Sequence, residues 1–198
     1  MMKTLLLCGW FLGSGVCAAA PLMVSVTDAQ GQPLADAVVS VEVKGTKPTA
    51  APGTRADLAQ RNRAFDPKVL VVQTGTAVYF PNFDTVRHHV YSFSPIKTFE
   101  IKLYAGTPAA PVVFDKPGVA VLGCNIHDHM LAHVVVVDTP YFARTDAQGQ
   151  ATLQVPAGEH VLKTWHARLG ENAAPLQQAL PLPEGGARSS VALPVRTQ

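Results

Sequence analysis

Cys124-Asn125-Ile126-His127-Asp128-His129-Met130 puts one thiol, two imidazoles and a thioether within seven residues. Two imidazoles, a thiolate and a weak axial thioether form a type 1 copper site, and this segment offers three of those four donors. Donor atoms on one ion lie roughly 3–4 Å apart, given bonds of about 2.0–2.3 Å. An extended backbone separates Cα atoms by roughly 10 Å over three residues. Cys124 and His127 can therefore share an ion only if the chain turns between them. The remaining imidazole must come from elsewhere, and His88-His89, 36 and 35 positions upstream of Cys124, is the nearest pair. Neighbours on a strand point to opposite faces, so only one of the two can face the ion. Other uses of the same residues are a buried, inert Cys124 and a core Met130, or a tetrahedral zinc set of Cys124, His127, His88 and His129.

The cysteine count sharpens the question. The chain has 3 cysteines, and Cys8 and Cys17 fall in an N-terminal segment with the features of an export signal. Lys3 supplies its positive end, Leu5 to Leu12 its apolar stretch, and Val16 to Ala20 the small residues of a cleavage site. Residues 1–19 are expected to be removed, with cleavage after Ala18 or Ala19. The apolar stretch is short for a membrane span. A periplasmic protein keeping only Cys124 cannot close an internal disulfide, which leaves that thiol reactive, buried or bound to metal. The formal charge of +2 becomes +1 without Lys3, so composition gives no case for a nucleic acid or an anionic membrane surface.

The elements that must position these residues are strands. The 16 prolines and 15 glycines, among many Val, Ala and Thr, suggest strands joined by turns. Strands are expected at Met23–Val26, Ala37–Val43, Val69–Gln73, Ala77–Phe80, Val90–Phe93, Thr98–Leu103, Pro111–Phe114 and Val119–Gly123. Val134–Val137 is an unbroken Val run, as in a strand buried on both faces. Its position after Val119–Gly123 puts the candidate ligands in the loop between two strands. Arg55 to Arg63 is polar and could hold one short helix. Thr27-Asp28-Ala29-Gln30-Gly31-Gln32 recurs word for word as Thr145 to Gln150, an Asx-type turn followed by Gly. Further strands are expected at Ala151–Val155, His160–Trp165 and Ser189–Val195.

Phe65-Asp66-Pro67-Lys68-Val69-Leu70-Val71-Val72, then Gly75, Val78, Phe80 and Asn82, resembles the opening of plastocyanin-like cupredoxins. His88-His89-Val90 resembles their His-Asn-Val ligand segment, and Pro117-Gly118 followed by Cys124, His127 and Met130 resembles their terminal ligand loop. The resemblance covers roughly Arg55 to Asp138, and the whole chain is most similar to the bacterial "methylamine utilization protein" group. It implies one type 1 copper ion held by His88, Cys124, His127 and Met130. It also implies electron exchange through the exposed edge of His127, with Leu131, Pro81 and Phe83 as an apolar rim. Two departures stand out. His89 occupies the position where the pattern has a bracing Asn, and the loop has two residues between His127 and Met130, fewer than in plastocyanin. Ala143 to Val195 resembles a carboxypeptidase-regulatory-like or transthyretin-like β-sandwich.

The expected architecture is all-β: a cupredoxin Greek-key sandwich over 55–138, a smaller β-sandwich over 139–198, and strands in 21–54 that complete one or the other. The expected function is a periplasmic single-electron carrier, a monomer meeting a redox protein transiently, with no nucleic acid and no membrane span. Copper delivery, and a structural envelope protein with a zinc or vestigial site, are the alternatives. An enzyme is disfavoured. Multicopper oxidases use eight histidines at a trinuclear centre by family pattern, against 7 in this chain, and no Gly-rich or helical oxyanion site flanks Cys124.

Overall fold

Alternation of apolar and polar residues sets the first strand, β1 (Ala19–Thr27), in which Ala20, Leu22, Val24 and Val26 point inward and their neighbours outward. The computed structural model describes residues 19–195; the expected signal segment, with Cys8 and Cys17, lies outside the described residues but for Ala19. The strands that follow are β2 (Val38–Glu42), β3 (Arg55–Asp57), β4 (Ala59–Arg61), β5 (Ala64–Asp66), β6 (Val69–Gln73) and β7 (Thr76–Tyr79). Next come β8 (His88–Ser94), β9 (Lys97–Tyr104), β10 (Val112–Phe114), β11 (Gly118–Cys124) and β12 (Leu131–Val137). The last are β13 (Phe142–Arg144), β14 (Gln150–Pro156), β15 (Gly158–Trp165), β16 (Leu176–Leu182) and β17 (Ala187–Ala192), with a single 3₁₀ turn at Ala167–Leu169 among the described residues. The fold is all-β.

Strand pairing sorts the chain into a central set and a terminal set. The central strands form a five-stranded sheet, β6-β12-β11-β8-β9, and a three-stranded sheet, β10-β7-β3, with β4 and β5 as a hairpin. The parallel pairs β6–β12 and β3–β7 join strands distant in sequence, so connections pass from sheet to sheet in Greek-key fashion. The terminal strands form two further sheets, β14-β1-β17 and β13-β2-β15-β16. β1 thus pairs with strands from the far end of the chain, antiparallel to β14 and parallel to β17. β2 pairs with β13 and β15. Neither β1 nor β2 joins the central sheets.

Three apolar clusters follow. One fills the terminal sandwich around Leu22, Val39, Leu153, Leu162 and Leu193. A second fills the central one around Phe80, Val90, Phe114, Leu122 and Val134, and it includes Cys124 and Met130. The third, Val38, Val69, Val119, Val135 and Trp165, lies between the two sets of strands. The Val run of β12 is buried on both faces: Val134 and Val136 belong to the central core and Val135 to the junction. Polar contacts also cross the junction, from Ser94 Oγ to the Glu171 carboxylate at 3.0 Å and from Arg144 to the Val69 carbonyl at 3.4 Å. A cleft of about 380 Å³ opens there beside Glu42, Lys163 and Trp165, and no metal-site residue lines it.

Two expectations needed correction. No helix forms between Arg55 and Arg63; the segment supplies β3 and β4. Polar composition misled because Gln60 is fully buried, accepting from the Tyr104 hydroxyl at 2.5 Å and donating to the Leu58 carbonyl at 3.2 Å. The strands β13 and β16 were not expected at all; β16 carries three Leu but also Gln177, Gln178 and Pro181, which hide its alternation.

Candidate metal centre

Cys124 ends β11 on the face that carries Ala120 and Leu122, so its side chain points into the central core and is 4% exposed. Across the ladder it pairs with Val90 of β8. His88 lies two residues from Val90 on the same inward face, within diagonal reach of Cys124. His88 is fully buried. His89 points the other way, half-buried, with Nε2 2.8 Å from the Glu100 carboxylate. Strand alternation thus separates the two histidines, with the inner one at the thiol.

Beyond Cys124 the chain turns twice. The His127 amide donates to the Cys124 carbonyl at 3.4 Å, and the Met130 amide donates to the His127 carbonyl at 2.9 Å. Two successive four-residue turns explain how residues spaced by three return to one side of the loop. A further bond, from the Asn125 amide to the His89 carbonyl at 3.1 Å, ties the loop to the strand bearing His88.

The outcome is convergence. Cys124 Sγ lies 3.7 Å from His88 Nδ1 and 3.7 Å from His127 Nδ1. All three donor atoms lie within 4.8 Å of one another, and the group could hold a metal ion. Metal–nitrogen and metal–sulfur bonds of about 2.05 and 2.3 Å place N and S roughly 3.6 Å apart in a tetrahedral set and 3.8 Å in a trigonal one. The two observed sulfur–nitrogen spacings fall between these values. Met130 is buried in the same core as Cys124, at 2% exposure. His129 points away, its Nε2 donating to the Arg63 carbonyl at 3.2 Å.

The far side of His88 carries a contact that sequence reading missed. Asp84 lies in the loop between β7 and β8, and nothing in its local sequence marks it as a site residue. Its Oδ2 lies 2.8 Å from His88 Nε2. The same carboxylate accepts the backbone N–H of Asn62 at 2.7 Å and of Arg63 at 3.0 Å. Asn82 fixes the loop from which Asp84 projects: its Oδ1 accepts the Asp84 N–H, and its Nδ2 donates to the Val86 and Tyr104 carbonyls. Burial pushes the Asp84 carboxyl upward, but its bonds to His88, Arg63 and Asn62 outweigh that and hold it below the usual carboxylate range. His127 is held below the usual imidazole range chiefly by desolvation, with the nearby Arg63 guanidinium acting in the same direction.

Of the apolar rim implied by the resemblance, Leu131 and Phe83 are exposed at 53% and 57%, and Arg61 stacks on the Phe83 ring at 3.7 Å. Pro81 is buried and does not reach the surface. The exposed Ile126, within the ligand loop itself, was not foreseen.

No family model matches this chain, and no curated protein matches it. Solved structures do match. A purple cupredoxin from Nitrosopumilus maritimus is 22% identical over 41% of this chain and 98% of its own, with a TM-score of 0.36. Amicyanin from Paracoccus versutus is 18% identical over 49% of this chain and 97% of its own, also at 0.36. A Cu-containing nitrite reductase from Thermus scotoductus is 24% identical over 57% of this chain and 28% of its own, at 0.40.

Proposed function

We propose that this protein is a periplasmic type 1 copper protein that carries single electrons between redox partners, related to the "methylamine utilization protein" group of cupredoxins. His88, Cys124 and His127 would hold the ion, with Met130 as axial ligand. The observation that carries this reading is the convergence of two imidazole nitrogens and a buried thiol on one point. A bound copper ion supplies a one-electron couple, Cu(II)/Cu(I).

The protein's own residues do the rest. The β11 ladder and the two turns hold Cys124 and His127 in place, so little ligand movement accompanies a change of charge. Burial of Cys124 excludes water and other thiols from the sulfur. His127 is only partly buried and leads outward among Ile126, Leu131 and Phe83. A redox protein docking there would meet a small apolar surface, as in transient complexes. The buried sulfur favours this reading over delivery of copper to an acceptor, which needs an accessible thiolate.

Copper titration of the mature protein tests the proposal. One equivalent should produce an intense thiolate-to-copper absorption band, and Cys124→Ser should abolish it. A colourless complex at one equivalent would rule the reading out.

A further inference from the structure

The buried His88 is bonded on both sides, and the side away from the thiol is a constructed one. Asp84 Oδ2 meets His88 Nε2 at 2.8 Å. The carboxylate also accepts two backbone N–H groups, those of Asn62 and Arg63. These two residues form the turn between β4 and β5, where Arg61 pairs with Ala64. Both have positive φ, 54° and 55°, the signature of a two-residue type I′ hairpin turn. Such a turn prefers Gly in second position, and a left-handed Arg is strained there. The two bonds to Asp84 offset that strain. The Arg63 carbonyl also receives His129 from the ligand loop. One turn therefore contacts both segments that carry donors.

The chemistry of the His88 contact has one sense. An ionised carboxylate only accepts hydrogen bonds. Its partner nitrogen, Nε2, must carry the proton, which leaves Nδ1 with a free lone pair. Nδ1 is the atom that faces Cys124. Carboxylate–imidazole pairs of this kind fix the tautomer and raise the basicity of a metal-binding histidine.

From this arrangement we infer that Asp84, seated on the Asn62–Arg63 turn, is a positioning residue that fixes His88 as the Nε2–H tautomer and favours the more highly charged metal ion. The inference rests on the metal-site reading above. Asparagine cannot replace Asp84 in this role. Its amide end would oppose either the Asn62 N–H or the Arg63 N–H and His88, because that end cannot accept a hydrogen bond.

Three measurements test it. Nitrogen NMR of the metal-free wild-type protein should show neutral His88 protonated at Nε2; a dominant Nδ1–H form overturns the inference without any variant. Zinc(II), a redox-silent probe of the same lone pair, should bind Asp84→Asn about 10–100-fold more weakly than wild type. In copper-loaded protein the same variant should lose more Cu(II) than Cu(I) affinity, and each tenfold difference raises the potential by about 59 mV. Unchanged zinc affinity together with an unchanged Cu(II)/Cu(I) ratio overturns the inference. If wild type gives no thiolate-to-copper band while the tautomer and zinc results hold, the electron-transfer reading fails and the role of Asp84 stands.

Discussion

At the scale of the residue, the site is a contrast between donors that strand alternation points inward and neighbours that it points away. His88 and His89 show this most simply, and the turn geometry does the same for His127 and His129. Met130 offers a test of the thioether that leaves packing nearly intact. Met130→Leu conserves volume, so denaturant unfolding should shift by less than about 1.5 kcal/mol. With Met130 in the axial role proposed above, cyclic voltammetry of the variant's copper form should show a higher potential than wild type, because loss of a donor penalises the higher charge more. Much of this was legible in the sequence. Cys124 and His127 sit in one short segment, and the structure brings them together with His88. Asp84 was not legible. A carboxylate four residues before a histidine, in a loop, looks like any turn residue until the loop's own fold swings it onto Nε2.

At the scale of the element, the repeated hexapeptide shows what local sequence settles and what it leaves to context. Asp28 Oδ1 accepts the N–H groups of Gln30 at 3.0 Å and Gln32 at 2.9 Å. Asp146 Oδ1 accepts those of Gln148 and Gln150, both at 2.9 Å. The same six residues build the same Asx turn, and the sequence alone foretold it. Their surroundings differ. A Cβ on Gly31 would meet nothing within 4 Å, whereas one on Gly149 would lie 2.4 Å from the Val26 carbonyl oxygen. Both have positive φ, so Gly31→Ala should cost about 1–2 kcal/mol from backbone strain alone. Gly149→Ala should cost clearly more, because backbone must also move. Thermal unfolding of the two variants checks the order; equal losses would refute it. The β4–β5 hairpin was misjudged for a related reason. Its polar residues are satisfied by partners far along the chain, such as Tyr104 and Asp84, and such partners leave no local periodicity.

At the scale of the whole molecule, strands β6, β12 and β11 of the five-stranded sheet are covered on both faces, by the central core and by the terminal sandwich. Trp165, 3% exposed, is the large residue of that junction. Trp165→Ala should destabilise by about 3–5 kcal/mol, measured by denaturant unfolding. His133 packs against Trp165 with ring centroids 5.6 Å apart. Burial lowers the pKa of His133 and that of His166, outweighing in His133 the opposing pull of Glu171 and in His166 the bond to the Ala35 carbonyl. The sign follows from linkage. A histidine whose folded pKa is depressed binds protons more readily when unfolded, so stability is full above the unfolded value of about 6.5 and falls as pH drops below it. Denaturant midpoints should decline from pH 7.5 to pH 5, and His133→Gln should flatten that slope.

The partnership of β2 with β13 has a mechanical meaning. Ser40 faces Phe142 across an antiparallel ladder, so the chain departs and returns side by side, as in a hairpin whose bend is an entire folded body. Until that body has formed, joining those two strands means closing a loop of roughly a hundred residues, at an entropic cost that grows with the logarithm of its length. Once it has formed, its exit and entry points sit next to each other and most of that cost is gone. An ion gripped at the far tip of the bend would therefore also steady the strands at the chain's two extremities, and amide protons there should exchange more slowly when the metal is bound.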